Sequence, residues 1–270
     1  MVGHVADHPS RSPPAEHLRG LPMTPSPTKN PWIRRFGPRP DGGPHVVCFP
    51  HAGGSASYFS RLARRLAPDV ATLSVQYPGR QERRREPVPT SIDELADDIA
   101  EALAPLLAER HVFFGHSMGS VVAFEVARRL EVTGTGPLRL FASARRAPST
   151  PDTRKVHLLD DAGLLGEMSR LGGTAQTVLA DPEMAAMILP AVRADYRAIG
   201  NYSCPRGAAV RCPITVVVGD RDPVVTAEQA SSWQEHTTSG FDLTVHPGGH
   251  FYLDDNLDAV ARDITAALAG

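Results

Sequence analysis

The chain has 270 residues, 41% of them hydrophobic and 21% charged, with 28 basic and 30 acidic side chains for a formal charge of −2. That composition suits a folded protein with a full core. It argues against broad electrostatic wrapping of nucleic acid or of an anionic membrane, and no apolar run approaches the roughly 20 residues that span a bilayer.

Residues 1–31 hold Pro9, Pro13, Pro14, Pro22, Pro25, Pro27 and Pro31 among few large apolar side chains. Such a stretch buries too little surface to offset its ordering entropy, and it reads as a mostly disordered leader. It lacks the apolar core of about 7–15 residues that a secretory signal carries. Met23 is an alternative start to Met1. The three cysteines, Cys48, Cys204 and Cys212, form neither a disulfide framework nor a C-x-x-C pair, which points to a reducing cytoplasm.

Folded structure is predicted from residue 32 to residue 268. Val46 to Phe49 is a short apolar run closed by Pro50 and Gly53-Gly54, a buried strand entering a loop. Tyr58, Phe59, Leu62 and Leu66 follow at helical spacing. Ala71 to Tyr77 is a second strand, ended by Pro78-Gly79. Ser91 with Glu94 opens a helix to about Ala108. His111 to Phe114 is a third strand, Ser117 to Leu130 a helix, Leu138 to Ala142 a fourth strand, Ile214 to Val218 a fifth and Phe241 to Val245 a sixth. A terminal helix is expected near Leu253 to Leu268.

This alternation predicts an α/β fold with a mainly parallel sheet flanked by helices. The rhythm breaks over about 149–205, where Leu164, Leu165, Met168 and Leu171, then Met184, Met187, Ile188, Ala191 and Val192, mark helices without a strand. A helical insertion after a sheet strand is where a lid would sit, though plain crossover helices give the same pattern.

Gly115-His116-Ser117-Met118-Gly119 joins an apolar strand to a helix. That is the context of a G-x-S-x-G nucleophile elbow. The glycines let the tight turn form, and the next backbone N–H is left free at a helix N-terminus. A serine nucleophile needs a base and an acid, in the chain order Ser, acid, His. His250, in Pro247-Gly248-Gly249-His250-Phe251, follows the last strand and is favoured over His246, which should still be on the strand. His236 reads as a solvated surface residue. For the acid, Asp222 on the loop beyond Val218 is favoured over Asp220, which could instead cap the loop or pair with Arg221.

A second oxyanion donor should come from the loop after the first strand, so the donors are assigned to the backbone N–H groups of Ala52 and Met118. His51 should shape that loop rather than act as base. No G-K-[ST] makes Gly53-Gly54 a phosphate loop, and no H-E-x-x-H pairing supports zinc. Arg83-Arg84-Arg85, flanked by Glu82 and Glu86, is most simply a solvated charge cluster, though it could also meet an acidic partner.

The motifs Phe49-Pro50-His51-Ala52-Gly53-Gly54, Tyr77-Pro78-Gly79-Arg80 with Glu82, Gly115-His116-Ser117-Met118-Gly119, Leu171-Gly172-Gly173-Thr174, Gly219-Asp220-Arg221-Asp222-Pro223 and Pro247-Gly248-Gly249-His250-Phe251 occur in this order. Together they resemble the type II, free-standing thioesterases of polyketide and nonribosomal peptide synthesis. The resemblance implies an α/β-hydrolase fold with a helical lid. It implies hydrolysis of acyl groups from the phosphopantetheine arm of acyl or peptidyl carrier proteins, clearing stalled chains. Ser117, His250 and Asp222 would take the nucleophile, base and acid roles, with Ala52 and Met118 at the oxyanion hole and no metal or organic cofactor. Integrated terminal thioesterases often place the acid after an earlier strand. Here that position reads Ala142-Ser143-Ala144-Arg145-Arg146, with no carboxylate. A small-molecule carboxylester hydrolase or acyltransferase, or a non-catalytic binding module, are the rival readings. Lid residues Leu165, Met168, Leu171, Met184, Met187 and Ile188 either line an acyl chamber or pack the lid to the body.

Overall fold

The computed structural model describes Met1 and residues 30–37, 43–151, 154–172 and 181–270. The expected leader, Met23 and the Gly173-Thr174 half of one motif lie outside the described residues. Seven strands form one sheet: β1 Ile33–Phe36, β2 His45–Phe49, β3 Ala71–Val75, β4 His111–His116, β5 Leu140–Ser143, β6 Ile214–Gly219 and β7 Phe241–His246. Their order is β1-β3-β2-β4-β5-β6-β7, and only the β1–β3 pair is antiparallel.

The helices are α1 Ser60–Leu66, α2 Ile92–Leu103, α3 Met118–Val132, α4 Asp161–Leu171, α5 Pro182–Gly200, α6 Ala227–Ser231 and α7 Leu257–Ala269. The inner strands are buried on both faces, so they read as apolar runs rather than as alternation. Within β2 and β4 successive side chains feed opposite layers. Val47, Phe49 and Phe113 pack with α2 and α3, while Val46, Cys48, Val112 and Phe114 pack with α1 and α7. Each large side chain so buried contributes about 1.5–3 kcal/mol.

Local chemistry sets the helix ends. Ser91 Oγ accepts from Glu94 N at 3.1 Å and starts α2. That helix stops at Leu103, short of the expected Ala108. Pro105 lacks an N–H and its ring opposes a continued α-helix, so the chain finishes in a 3₁₀ turn over Ala104–Leu106. Asp181 Oδ1 caps α5 by accepting from Glu183 N at 2.9 Å, and Pro182 occupies the first helical position. The final helix begins at Leu257, because Tyr252–Asp254 forms a separate 3₁₀ turn after the His250 loop. Strand β1 was not expected: only Ile33 of its four residues is buried, so it carries no apolar run.

β2 pairs with both β3 and β4, so the chain's progression across the sheet reverses there. Loops leaving adjacent strands at such a point open a crevice at the carboxyl edge of the sheet. The loops after β2 and β4 are the two that carry the predicted oxyanion donors. The turn after β4 is sterically closed. A Cβ on Gly119 would stand 2.0 Å from the Phe49 carbonyl oxygen, and one on Gly115 would stand 2.3 Å from Gly119 O. Gly119→Ala is therefore expected to lower stability by about 3 kcal/mol, the upper range for forced overpacking. Urea unfolding reads this directly, and an unchanged midpoint would mean that α3 does not need its close approach to β2.

Candidate active site

Ser117 sits between β4 and α3 at φ 55°, ψ −117°, a left-handed conformation that L side chains rarely adopt. Its N–H donates to Ser143 O at 2.8 Å, and Ser120 Oγ donates to Gly115 O at 2.8 Å and to Ser143 O at 2.9 Å. These bonds tie the turn to β5. Ser117 and His250 line one cavity of about 400 Å³, with His51, Ala52, Gly53, Tyr58 and Phe251. Met168 and Leu171 of α4, with Ile188 and Tyr196 of α5, line the same cavity.

His250 Nδ1 lies 3.0 Å from Asp222 Oδ2 and 3.1 Å from Oδ1, with both side chains buried. Asp222 Oδ1 also accepts from Val224 N at 2.8 Å. Asp220 instead points outward: it accepts from Gly248 N at 2.7 Å and pairs with Arg221 at 3.4 Å. A Cβ on Gly219 would stand 2.3 Å from Gly249 O, so a glycine there lets the acid and histidine loops touch. His246 stays on β7 and stacks on Tyr252, with ring centroids 5.7 Å apart.

The loop after β2 closes as a β-turn, Gly54 N donating to His51 O at 2.9 Å. Gly53 has φ 74°, the positive value that the third residue of a type II turn requires. Tyr77 Oη donates to Pro50 O at 3.2 Å, and Ala56 N donates to Gln76 Oε1 at 2.8 Å. Among the described residues the N–H groups of Ala52 and Met118 have no protein acceptor. Ala52 lines the same cavity as Ser117, and Met118 directly follows Ser117 at the N-terminus of α3.

Three imidazoles crowd the site. His51 and His116 ring centroids are 5.9 Å apart, and those of His116 and His250 are 5.4 Å apart. Burial first, then His250 and Arg80, pushes His51 down to about 3. Burial and the other two imidazoles hold His116 well below the usual histidine range. His116 Nδ1 meets Ser143 Oγ at 2.8 Å, and Ser143 Oγ meets Tyr252 Oη at 2.7 Å.

Several expectations change. His236 is buried, not solvated: Nδ1 meets Ala208 O and Nε2 meets Ser149 Oγ, each at 2.8 Å. The arginine run is not a uniform solvated cluster. Arg83 is buried over the Trp32 ring, 4.1 Å from its centroid, and pairs with Glu86 at 2.6 Å. Arg80 is buried against Asp195 of α5. Arg84 and Arg85 are exposed. Of the lid candidates, Met168, Leu171 and Ile188 reach the cavity, whereas Met184 and Met187 face solvent. Sequence reading missed Tyr196 and Asp195. The available signal was a lone carboxylate in the apolar stripe Ala191, Val192, Asp195, Ala198, Ile199 of α5.

The buried imidazoles make stability depend on acid. An unfolded histidine titrates near 6.5, whereas folded His51 titrates at about 3. Below about pH 6.5 the unfolded chain takes a proton that the folded chain refuses, so stability falls as pH falls, by about 2 kcal/mol at pH 5 from this group. Among the described residues, buried His51 Nδ1 has no hydrogen-bond partner. His51→Phe should therefore flatten the loss between pH 7 and pH 5 by about that amount. Denaturant melts at the two pH values measure it, and an unaltered slope would assign the acid sensitivity elsewhere.

A family model described as a thioesterase domain matches residues 44–268. The "Probable cadicidin biosynthesis thioesterase" of Streptomyces griseus is 48% identical over 267 residues, 96% of this chain and 74% of that protein. "Thioesterase PikA5" of Streptomyces venezuelae is 48% identical over 236 residues, 87% of this chain and 84% of that one. The solved structure of the type II thioesterase BorB, from the borrelidin biosynthetic cluster, superposes with a TM-score of 0.83 at 45% identity. It covers 88% of this chain and 98% of its own. Its sheet, its turn at Ser117 and these relatives agree: the chain belongs to the thioesterase family, on the α/β-hydrolase fold.

Proposed function

We propose that this chain is a type II thioesterase that hydrolyses acyl thioesters on the phosphopantetheine arm of carrier proteins in polyketide or nonribosomal peptide synthesis. The carrying observation is the convergence on one cavity of Ser117, Ala52 and a histidine held through Nδ1 by a buried carboxylate. The family assignment and the relatives' pathway names support the substrate class.

Asp222 accepts the Nδ1–H of His250 and fixes the tautomer whose Nε2 is free to act. His250 takes the Ser117 proton as Oγ adds to the thioester carbonyl carbon. The oxyanion sits against the Ala52 and Met118 amides, each such donor being worth about 10²–10³-fold in rate. The carbon–sulfur bond breaks, and the pantetheine sulfur leaves with the proton from His250. A water molecule then gives a proton to His250, adds to the acyl-enzyme and releases the free acid, restoring Ser117. The scheme uses no metal or organic cofactor, since the pantetheine belongs to the substrate. The cavity wall from Met168, Leu171 and Ile188 suits an apolar acyl chain. Cys48, Cys204 and Cys212 are all free, in keeping with a cytoplasmic location. Among the described residues no helix is long and apolar enough to cross a membrane.

Ser117→Ala should remain folded and lose hydrolysis by about 10⁴-fold or more, assayed as free thiol released from an acyl-pantetheine. A reactive-serine probe should label the wild type and not this variant. Full activity in it would reject the mechanism. Matched oxygen esters should turn over more slowly than thioesters, and the reverse preference would favour a carboxylester hydrolase.

Asp222→Asn should reduce kcat by about 10³–10⁴-fold, because an amide favours the wrong imidazole tautomer. Asp220→Asn should do far less, since that side chain holds only the Gly248 amide and Arg221. The opposite ranking would move the acid role to Asp220.

Carrier proteins are acidic, and this chain's charge of −2 offers no general attraction. Arg84 and Arg85 are the members of the arginine run left free to meet such a partner, because Arg80 and Arg83 are buried in ion pairs. Arg84→Gln with Arg85→Gln should raise KM and salt sensitivity for acyl-carrier substrates while sparing a short acyl-pantetheine. Equal losses on both substrates would remove these arginines from docking.

A further inference from the structure

We infer that Asp195, on the lid helix α5, is a positioning residue for the oxyanion hole: paired with Arg80, it fixes the peptide that follows the Ala52 amide. The inference rests on the reading of Ala52 as an oxyanion donor.

The contact crosses the fold. Gly53 N donates to Asp195 Oδ2 at 2.7 Å across 142 positions of sequence. The same oxygen receives Arg80 Nη2. Arg80 comes from the loop after β3, and it also donates from Nη1 to Pro78 O at 2.6 Å and from Nε to Gly54 O at 3.3 Å. Its guanidinium carbon lies 5.1 Å from the Tyr77 ring centroid, and Tyr77 holds Pro50 O. Asp195 and Arg80 side chains are 1% and 5% exposed. So the Gly53 N–H is held from outside the loop by α5, and the Gly54 carbonyl by Arg80 of the β3 loop. The Ala52 N–H lies in the peptide between the Pro50 carbonyl that Tyr77 holds and the Gly53 N–H that Asp195 holds.

The lid helix also bears directly on Gly53. A Cβ there would stand 2.7 Å from Val192 Cγ2, one turn before Asp195 on α5. Apolar packing alone would seat α5 without the cost of burying two charges, which well-packed apolar residues often replace without loss of stability. What apolar packing cannot provide is an acceptor for the Gly53 N–H. Without that acceptor the turn His51–Gly54 loses one of its anchors. Misplacement by about 1 Å can cost about 10²-fold in rate. On this reading the oxyanion loop takes its working shape only while α5 is seated on it.

The test uses the full chain and three variants: Asp195→Asn, Asp195→Leu and the double variant Arg80→Met with Asp195→Leu. The double variant removes both buried charges together and strands neither, so it serves as the folding control. Each is assayed for kcat and KM on a short acyl-pantetheine thioester. Each is also titrated with an alkyl boronic acid, whose boron gains a bond from Ser117 Oγ and mimics the tetrahedral oxyanion. An acyl-pantetheine thioether without a carbonyl reports binding that needs no oxyanion donor.

The double variant should keep the wild-type melting temperature within a few degrees. It should lose about tenfold or more in kcat with KM within about twofold, and lose boronate affinity by a similar factor. Thioether affinity should not change. Asp195→Asn keeps an oxygen for the Gly53 N–H and should recover part of both losses relative to Asp195→Leu. Wild-type kcat in the double variant, or equal loss of boronate and thioether affinity, would make the pair purely structural and overturn the inference. Should the double variant not fold, the boronate-to-thioether ratio of Asp195→Asn decides, and a wild-type ratio there counts against the inference. Boronate binding that survives Ser117→Ala would instead count against the proposed mechanism, whatever Asp195 does.

Discussion

The turn at Ser117 is the constraint on which the site is built. Its positive φ costs about 1–3 kcal/mol, and the structure must hold it in place. Burial does so. Helix α3 sinks Val121, Val122, Phe124 and Val126 into the core immediately after the turn, and each such side chain contributes about 1.5–3 kcal/mol. Packing therefore outweighs the strain. The same seating presses Gly119 onto the carbonyls of Phe49 and Pro50. That contact sets the distance between the serine turn and the loop leaving β2, so Ser117 and Ala52 line one cavity.

The second principle is scarcity of water. His116 and Phe251 pack against the His250 ring, and His51 and Tyr58 pack on those two rings. Burial keeps His51 and His116 neutral at physiological pH. Imidazoles so hard to protonate would neither compete for the Ser117 proton nor repel the imidazolium that the proposed mechanism forms on His250. A buried charge pair, Arg80 with Asp195, also lies beside this region. Burial lowers the Arg80 guanidinium to about 10, which leaves it charged at neutral pH. Removing one member of such a pair strands a buried charge and typically costs about 3–5 kcal/mol.

One loop shows how a charge run divides its tasks. In Arg80 to Glu86 the backbone makes a 3₁₀ turn over Gln81–Arg83, with Gly79 N donating to Arg83 O at 2.9 Å. The turn sends Arg80 toward the lid and Arg83 under Trp32, while Arg84 and Arg85 face solvent. A flat reading of Arg83-Arg84-Arg85 as solvated charge fits Arg84 and Arg85 and fails at Arg83. Helical winding changes the direction of each successive side chain, and sequence composition does not record that direction.

Much of this protein was legible in its sequence because the signals are local. Apolar runs ended by Gly and Pro marked the inner strands, since a doubly covered parallel strand has no polar face. Gly115 and Gly119 marked the elbow because no other residue fits beside those carbonyls. Asp222 and His250 could be placed by strand order, since each follows a strand whose end lies at the same edge of the sheet. What the tertiary structure alone decided was non-local. β1 joins the sheet through backbone pairing with β3, although its own side chains hardly enter the core. His236 is buried by partners at Ala208 and Ser149. Asp195 meets Gly53 across 142 positions of sequence. Periodicity assigns a residue to a face of its own helix or strand. Which distant backbone group meets that face depends on how helices and loops far apart in the chain pack together, and only the folded chain determines that.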